Sequence, residues 1–335
     1  MKYSGHRINT LRDFTKANYN LGSKDMVKAL INASLEEQGG VKSNTHRTRL
    51  PAIRLFGAFI KQELGVKRLN YIEQSHLFAF GEYLRDKFEE KGELTASSAR
   101  DYLSHINCVL AQARGDESLT INATKDLLFP PKSGIALKDG SVAQSIHNKV
   151  VQSSSTEVAL IARLQRAWGM RFREAALFYA SQAVKQINEH GQIEISRGTK
   201  GGQARWVPLE NPAQKKVLED VAHYQAVVGH DSLVPKEMSF KAFQSMAWRE
   251  TKAIDNGYCS HGERKTFAMS YYERHVGAAC PVRSGVAHGA EHYRYLSHTL
   301  SISIEQAKAR DKVVRLQLSK ILGHHRLSIC NAYLG

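Results

Sequence analysis

The sequence is poor in the features that would tie it to an oxidising compartment, a structural metal or a bilayer. Its 335 residues include only four cysteines, Cys108, Cys259, Cys280 and Cys330, scattered and without CxxC spacing. A disulfide frame and a cysteine-based zinc site are therefore excluded, and reduced thiols in a cytosolic protein are the expectation. No stretch is apolar and long enough to span a membrane, and the opening MKYSGHRINTLRDF lacks the apolar core of a signal peptide. Internal repeats and low-complexity tracts are absent too. Acidic residues are scarce: Asp+Glu number 32 against 47 Lys+Arg, for a net charge of +15.

That charge excess is shared along the chain. Residues 1–150 hold 22 basic and 16 acidic side chains, and residues 151–335 hold 25 and 16. A chain of this length is expected to form two domains. Both would be cationic, as two domains touching one polyanion would be, and nucleic acid is the expected polyanion.

Hydrophobic periodicity predicts a mainly α-helical chain. Helical spacing runs through 44–63 (Leu50, Ile53, Phe56, Ile60), 71–90 (Ile72, Leu77, Phe80, Leu84) and about 97–113 (Ala99, Leu103, Ile106, Leu110). A short fourth helix is predicted at 121–129, and another lies near 24–37 in a basic N-terminal segment, residues 1–43. Residues 44–131 then form a small helical domain. Residues 132–152 show no sustained period and read as a linker, leaving 153–335 as the second domain. Within it the period changes to two around Ile193 and Ile195, and again at Arg205, Val207 and Leu209, flanking the turn GTKGG; this predicts a small antiparallel hairpin in an otherwise helical domain.

Five fragments of the second domain stand in a fixed order: GMRFREA, GTKGGQARWVPL, HGERKTFA, LGH and a closing Tyr333. Singly each is weak. Together they resemble the catalytic domain of the tyrosine site-specific recombinases, the phage-integrase type, and the first domain is similar to that family's helical core-binding domain. The resemblance implies a mixed α+β catalytic domain and carries over residue by residue. Arg171 with Glu174 matches the first arginine in its RxxE context, and Lys200 the lysine that caps a hairpin. His261 and Arg264 match HxxR, and LGH leads by nine residues from His324 to Tyr333.

The implied activity is cutting and rejoining DNA through a 3′-phosphotyrosine, without metal or other cofactor. In it Tyr333 is the nucleophile, Arg171 and Arg264 stabilise the phosphate, His261 is the base and Lys200 the acid. His324 donates to the phosphate, and Glu174 orients its neighbours. Expected DNA contacts are Arg47, Arg49, Arg54, Arg100 and Lys265. The implied partner is double-stranded DNA bearing specific recombination sites, bound by a homotetramer in the synapse and a monomer or dimer when free, with no membrane association. A cytoplasmic, nucleoid-associated location goes with that. A type IB topoisomerase, separable by DNA relaxation without strand exchange, and a noncatalytic DNA-binding protein on the same fold are the rivals.

The chain departs from the family in two places. Lys265 stands where the family often has histidine, and the interval from Arg264 to His324 is longer than usual. The surplus, roughly 275–310, holds His288, Glu291 and His292 in the HxxEH pattern of some zinc proteases. Gly289 weakens the helix that pattern needs, so these histidines read as surface or DNA-facing groups. Family members commonly continue past the tyrosine with a helix that docks on a neighbouring subunit. The surplus is expected to project as a loop and supply that contact here.

Overall fold

A computed structural model of the chain describes residues 12–335. The chain divides into two compact units, Met1–Ser133 and Gly134–Gly335.

In the first unit, four helices pack around one apolar core: α1 (Met26–Glu37), α2 (Asn44–Gln62), α3 (Gln74–Glu89) and α4 (Ala96–Arg114). Each start has a capping side chain. Asp25, Ser43 and Thr95 accept from the amides of Lys28, His46 and Ser98, and Glu73 with His76 forms a reciprocal pair. The predicted apolar faces meet inside, with Phe56 edge-on to Phe80 at 5.0 Å between centroids. The part of the N-terminal segment predicted to be helical is α1, packed on α2 and α4.

The helix predicted at 121–129 does not form. Asn122 Oδ1 accepts from the amides of Thr124 and Lys125, and Leu128 takes a left-handed backbone (φ 55°), so side-chain-capped turns replace the helix.

The second unit is helical around a two-stranded sheet. It runs α5 (Gln144–Ser153), α6 (Thr156–Trp168), α7 (Phe172–Ala176), α8 (Ala180–His190), β1 (Gln192–Ile195), β2 (Arg205–Pro208), α9 (Pro212–Val228), α10 (Phe240–Ile254), α11 (Ser260–Val276), α12 (Pro281–Ser284), α13 (Ala290–Leu300), α14 (Ile304–Ile321) and α15 (Leu327–Leu334). The strands pair antiparallel, Ile193 opposite Val207 and Ile195 opposite Arg205.

Two stretches differ from expectation. Residues 144–152, read as part of the linker, fall within α5 (Gln144–Ser153). One buried carboxylate ties this region down: Glu263 on α11 takes His147 Nδ1 at 2.9 Å and Arg166 Nε at 2.5 Å, while Arg166 also donates to the Val142 carbonyl. The surplus at 275–310 is no projecting loop either. Its helix α13 packs along α14, burying His292 and Leu296.

Candidate active site

The site is built where helix ends converge. Gly169 closes α6 in a left-handed turn (φ 62°), and a Cβ there would stand 2.5 Å from the Phe267 ring, so glycine is required on both counts. The turn delivers Arg171 to the N-cap of α7. Three residues on, Glu174 returns its carboxylate to the Arg171 amide at 2.7 Å and to the Arg171 guanidinium at 2.6 Å.

Glu174 is fully buried and collects further cations. Strand alternation turns Arg205 inward, where its two Nη atoms meet the two carboxylate oxygens at 2.9 and 2.6 Å. Arg264 Nη1 lies 3.8 Å away. Burial alone would raise the Glu174 pKa. The Arg205 hydrogen bonds and charge, the Arg171 amide and the Arg264 charge outweigh it and bring the value to about 2. One carboxylate thus serves three guanidiniums, and the cluster carries a net charge of about +2.

Arg264 is wholly buried on α11. It donates to two carbonyls at helix C-termini, Gly169 at the end of α6 and Leu322 (2.6 Å) at the end of α14. Burial lowers its pKa to about 10, and the guanidinium remains cationic at neutral pH. Its Nε lies 3.2 Å from the Tyr333 hydroxyl. That hydroxyl is also 3.2 Å from His324 Nε2, itself 3.3 Å from Arg264 Nη2. A guanidinium only donates, so the phenol oxygen accepts from Arg264 and its proton points at a bare His324 Nε2.

Burial first, then the charges of Arg264, Arg171 and Arg205, lowers the His324 pKa to about 4, so the ring is neutral above that. His261 sets its ring 5.7 Å from that of Tyr333. Desolvation, then Arg264, Lys265 and Arg171, holds it below the ordinary imidazole range. Gly323 of LGH also has two duties: a left-handed turn (φ 70°) and close passage over Arg205, whose Cδ a Cβ would meet at 3.1 Å.

Arg171, Glu174, His261, Arg264, His324 and Tyr333 are therefore brought together. Lys200 is not; it sits exposed on the hairpin turn at 200–202, outside the cluster's hydrogen bonds. Arg205, which strand alternation alone marked, is a member that the motif reading passed over. The alternation showed an arginine on the inward face of a strand, which is unusual without a buried acid to receive it.

The expected DNA contacts sort by exposure. Arg47 and Arg54 are exposed on α2. Arg49 is a correction: it is buried at 5% exposure and held bidentately by Glu37, so its charge is spent inside the unit. Arg100 is half-buried and donates to the Pro130 carbonyl, and the Lys265 ammonium lies against Gly140. Arg49→Ala should cost about 1–3 kcal/mol of stability by stranding Glu37. Arg54→Ala should leave stability unchanged, and urea titration of the two variants checks the contrast.

The histidines of the surplus are also corrected. His292 is 1% exposed and bonded to Tyr272, Glu291 points to solvent, and no metal-binding group occurs among the described residues. No described helix is long and apolar enough to cross a membrane.

A pH dependence follows from His324 and His292, both lowered from 6.5 to about 4, chiefly by burial. Between those values the unfolded chain binds protons that the folded one refuses. The stability they contribute is complete above about pH 6.5 and drains away as pH falls toward 4. Melting temperature against pH should fall over that window, and less steeply in His324→Gln.

The family model described as Integrase matches residues 134–272. Among solved structures, a Tn1549 transposon integrase in complex with transposon right end DNA aligns over 92% of this chain and 95% of its own, at 13% identity and a TM-score of 0.54. The XerH site-specific recombinase bound to difH substrate covers 93% and 82%, at 14% and 0.53. A lambda integrase tetramer bound to a Holliday junction covers 81% and 79%, at 17% and 0.51. At these identities the likenesses concern the fold. No curated protein matches the sequence. The Integrase model thus matches part of the second unit, and the solved structures share the fold of the chain.

Proposed function

We propose that the chain is a site-specific recombinase that cuts and rejoins double-stranded DNA through a 3′-phosphotyrosine on Tyr333, in the integration or excision of a mobile element. The observation that carries this reading is the Tyr333 hydroxyl, held 3.2 Å from both Arg264 and His324 in a pocket of surplus positive charge. A net charge of about +2 suits a phosphodiester whose charge grows from −1 toward −2 at the transition state.

In the resting site the phenol occupies donors that a phosphate would take. On DNA binding the phosphate oxygens replace it on Arg264 and also engage Arg171, and the added anion raises the His324 pKa so that this ring becomes a donor. Neutral His261 then receives the phenol proton. The Tyr333 oxygen forms its bond to phosphorus as the bond to the 5′ oxygen breaks, and Lys200, on its exposed hairpin, protonates that oxygen. The reverse attack by a 5′ hydroxyl rejoins the strand and regenerates the phenol. Glu174 keeps the three guanidiniums in register throughout.

The helical first unit, with Arg47 and Arg54 exposed, would share the DNA contact, residues 153–335 carrying the catalysis. The DNA complexes of the related folds, one of them a tetramer on a Holliday junction, support DNA as partner and a tetrameric synapse; a monomer or dimer when free is part of the proposal.

Sequencing DNA trapped covalently on the protein in cells tests the reading. Adducts at a few discrete sites are expected; scattered adducts with relaxation and no strand exchange would favour a topoisomerase. Lys200 has its own test. A 5′-bridging phosphorothiolate, whose sulfur leaves unprotonated, should restore cleavage to Lys200→Ala; no rescue would remove the acid role.

A further inference from the structure

Helix α15 is gripped from the side opposite the site. Arg315, on α14, is 1% exposed, and every polar atom of its guanidinium is engaged. Its Nε meets Asp311 Oδ1 and Oδ2 at 2.9 and 3.0 Å, its Nη1 meets Asn331 Oδ1 at 3.0 Å, and its Nη2 meets the Gly335 carbonyl at 3.1 Å. Asn331 on α15 and Gly335 at its C-cap are four residues apart, on one side of the helix. Tyr333 falls midway, roughly 200° round the axis at 3.6 residues per turn, and so faces away from Arg315 and toward Arg264.

The fork is itself held in a fixed direction. Tyr272 Oη is 2.5 Å from Asp311 Oδ1 and can only donate to it. It must therefore accept from His292 Nε2 at 3.0 Å, which makes His292 the Nε2–H tautomer. The Arg315 guanidinium also lies over the Tyr272 ring, 5.6 Å from its centroid. The chain of partners runs from His292 on α13 through Tyr272 on α11, Asp311 and Arg315 on α14, to Asn331 on α15 and Gly335 at its C-cap. Two further bonds oppose sliding: the Ala136 amide to the Asn331 carbonyl at 2.8 Å, and Ser319 Oγ to the Arg326 carbonyl at 2.8 Å.

We propose that Arg315 is a positioning residue: its fork sets the rotation of α15 and thereby aims Tyr333 at the phosphate site, with α13 bracing the fork in cis. This rests on the reading of Tyr333 as nucleophile. Lysine in its place could keep the charge pair with Asp311 but could not bridge Asn331 and Gly335 at once.

The test compares Arg315→Lys with the wild-type full chain in two measurements. The first is amide hydrogen exchange without DNA. The second is the rate of covalent adduct formation on a nicked suicide substrate, set against affinity for that DNA. The expected result is exchange at residues 331–335 faster by ~10-fold or more with α6 and α9 unchanged. With it go an adduct rate down by about 10²-fold and affinity nearly constant. Unchanged exchange at 331–335, faster exchange across the whole unit, or an unchanged adduct rate would each overturn the positioning role. If the wild type itself forms no adduct, the reading of Tyr333 fails, and the exchange measurement alone decides whether Arg315 fixes α15.

Discussion

Tyr333→Phe is expected to bind a nicked target as tightly as the wild type and to form no SDS-resistant complex with it. The substitution removes one oxygen from a side chain that is 5% exposed and leaves the ring packed between His261 and His324. Arg264 keeps its two carbonyl partners and loses only the hydroxyl. The fold therefore has little reason to respond, and DNA affinity, drawn from many phosphate contacts, has less. Chemistry should cease, because no other hydroxyl stands in hydrogen-bonding contact with both Arg264 and His324 among the described residues. Gel analysis of denatured complexes, paired with a binding titration, reads both halves. Residual linkage by the Phe variant would assign the nucleophile elsewhere.

Glu174→Ala is expected to be the most damaging substitution to stability in the second unit. It strands Arg205, whose side chain is 2% exposed, and removes the nearest counter-charge of wholly buried Arg264. Removing one partner of a buried ion pair typically costs about 3–5 kcal/mol, a large part of a domain's total stability. Cleavage should fall as well, since three guanidiniums lose their common anchor. The acid limb follows the same carboxylate. With its pKa lowered from 4.5 to about 2, Glu174 contributes stability that is full above about pH 4.5 and is lost as pH falls toward 2. Urea titration at neutral pH and again near pH 3 should show the gap between wild type and variant narrowing in acid.

Much of this site was legible in the sequence because its chemistry depends on local spacing. RxxE places Glu174 one helical turn from Arg171, where it can cap the same helix. LGH with its nine-residue lead places His324 at one end of the turn and helix that bear Tyr333. What escaped was set by contacts distant in sequence. Arg205 meets Glu174 across 31 positions, and Glu263 meets His147 across 116. Arg49 read as a DNA contact because α2 alone gives no sign that Glu37 waits on the preceding helix. The surplus at 275–310 read as a loop because the capping box at Ser303 and Gln306 starts a helix after it and leaves the segment ahead free. Yet His292 and Leu296, four apart on α13, are both buried, a spacing that marks a packed helical face.

The measurement closest to the central claim is identification of the protein atom that carries DNA. A suicide substrate is cut by the wild-type chain, the adduct is digested, and the peptide bearing nucleotide is sequenced by mass spectrometry while the freed DNA end is tested for phosphate. The account predicts one modified peptide, spanning the α15 helix and modified at Tyr333, joined to a 3′ phosphate and leaving a free 5′ hydroxyl. Linkage to another residue, or a 5′-phosphoryl bond, would contradict it.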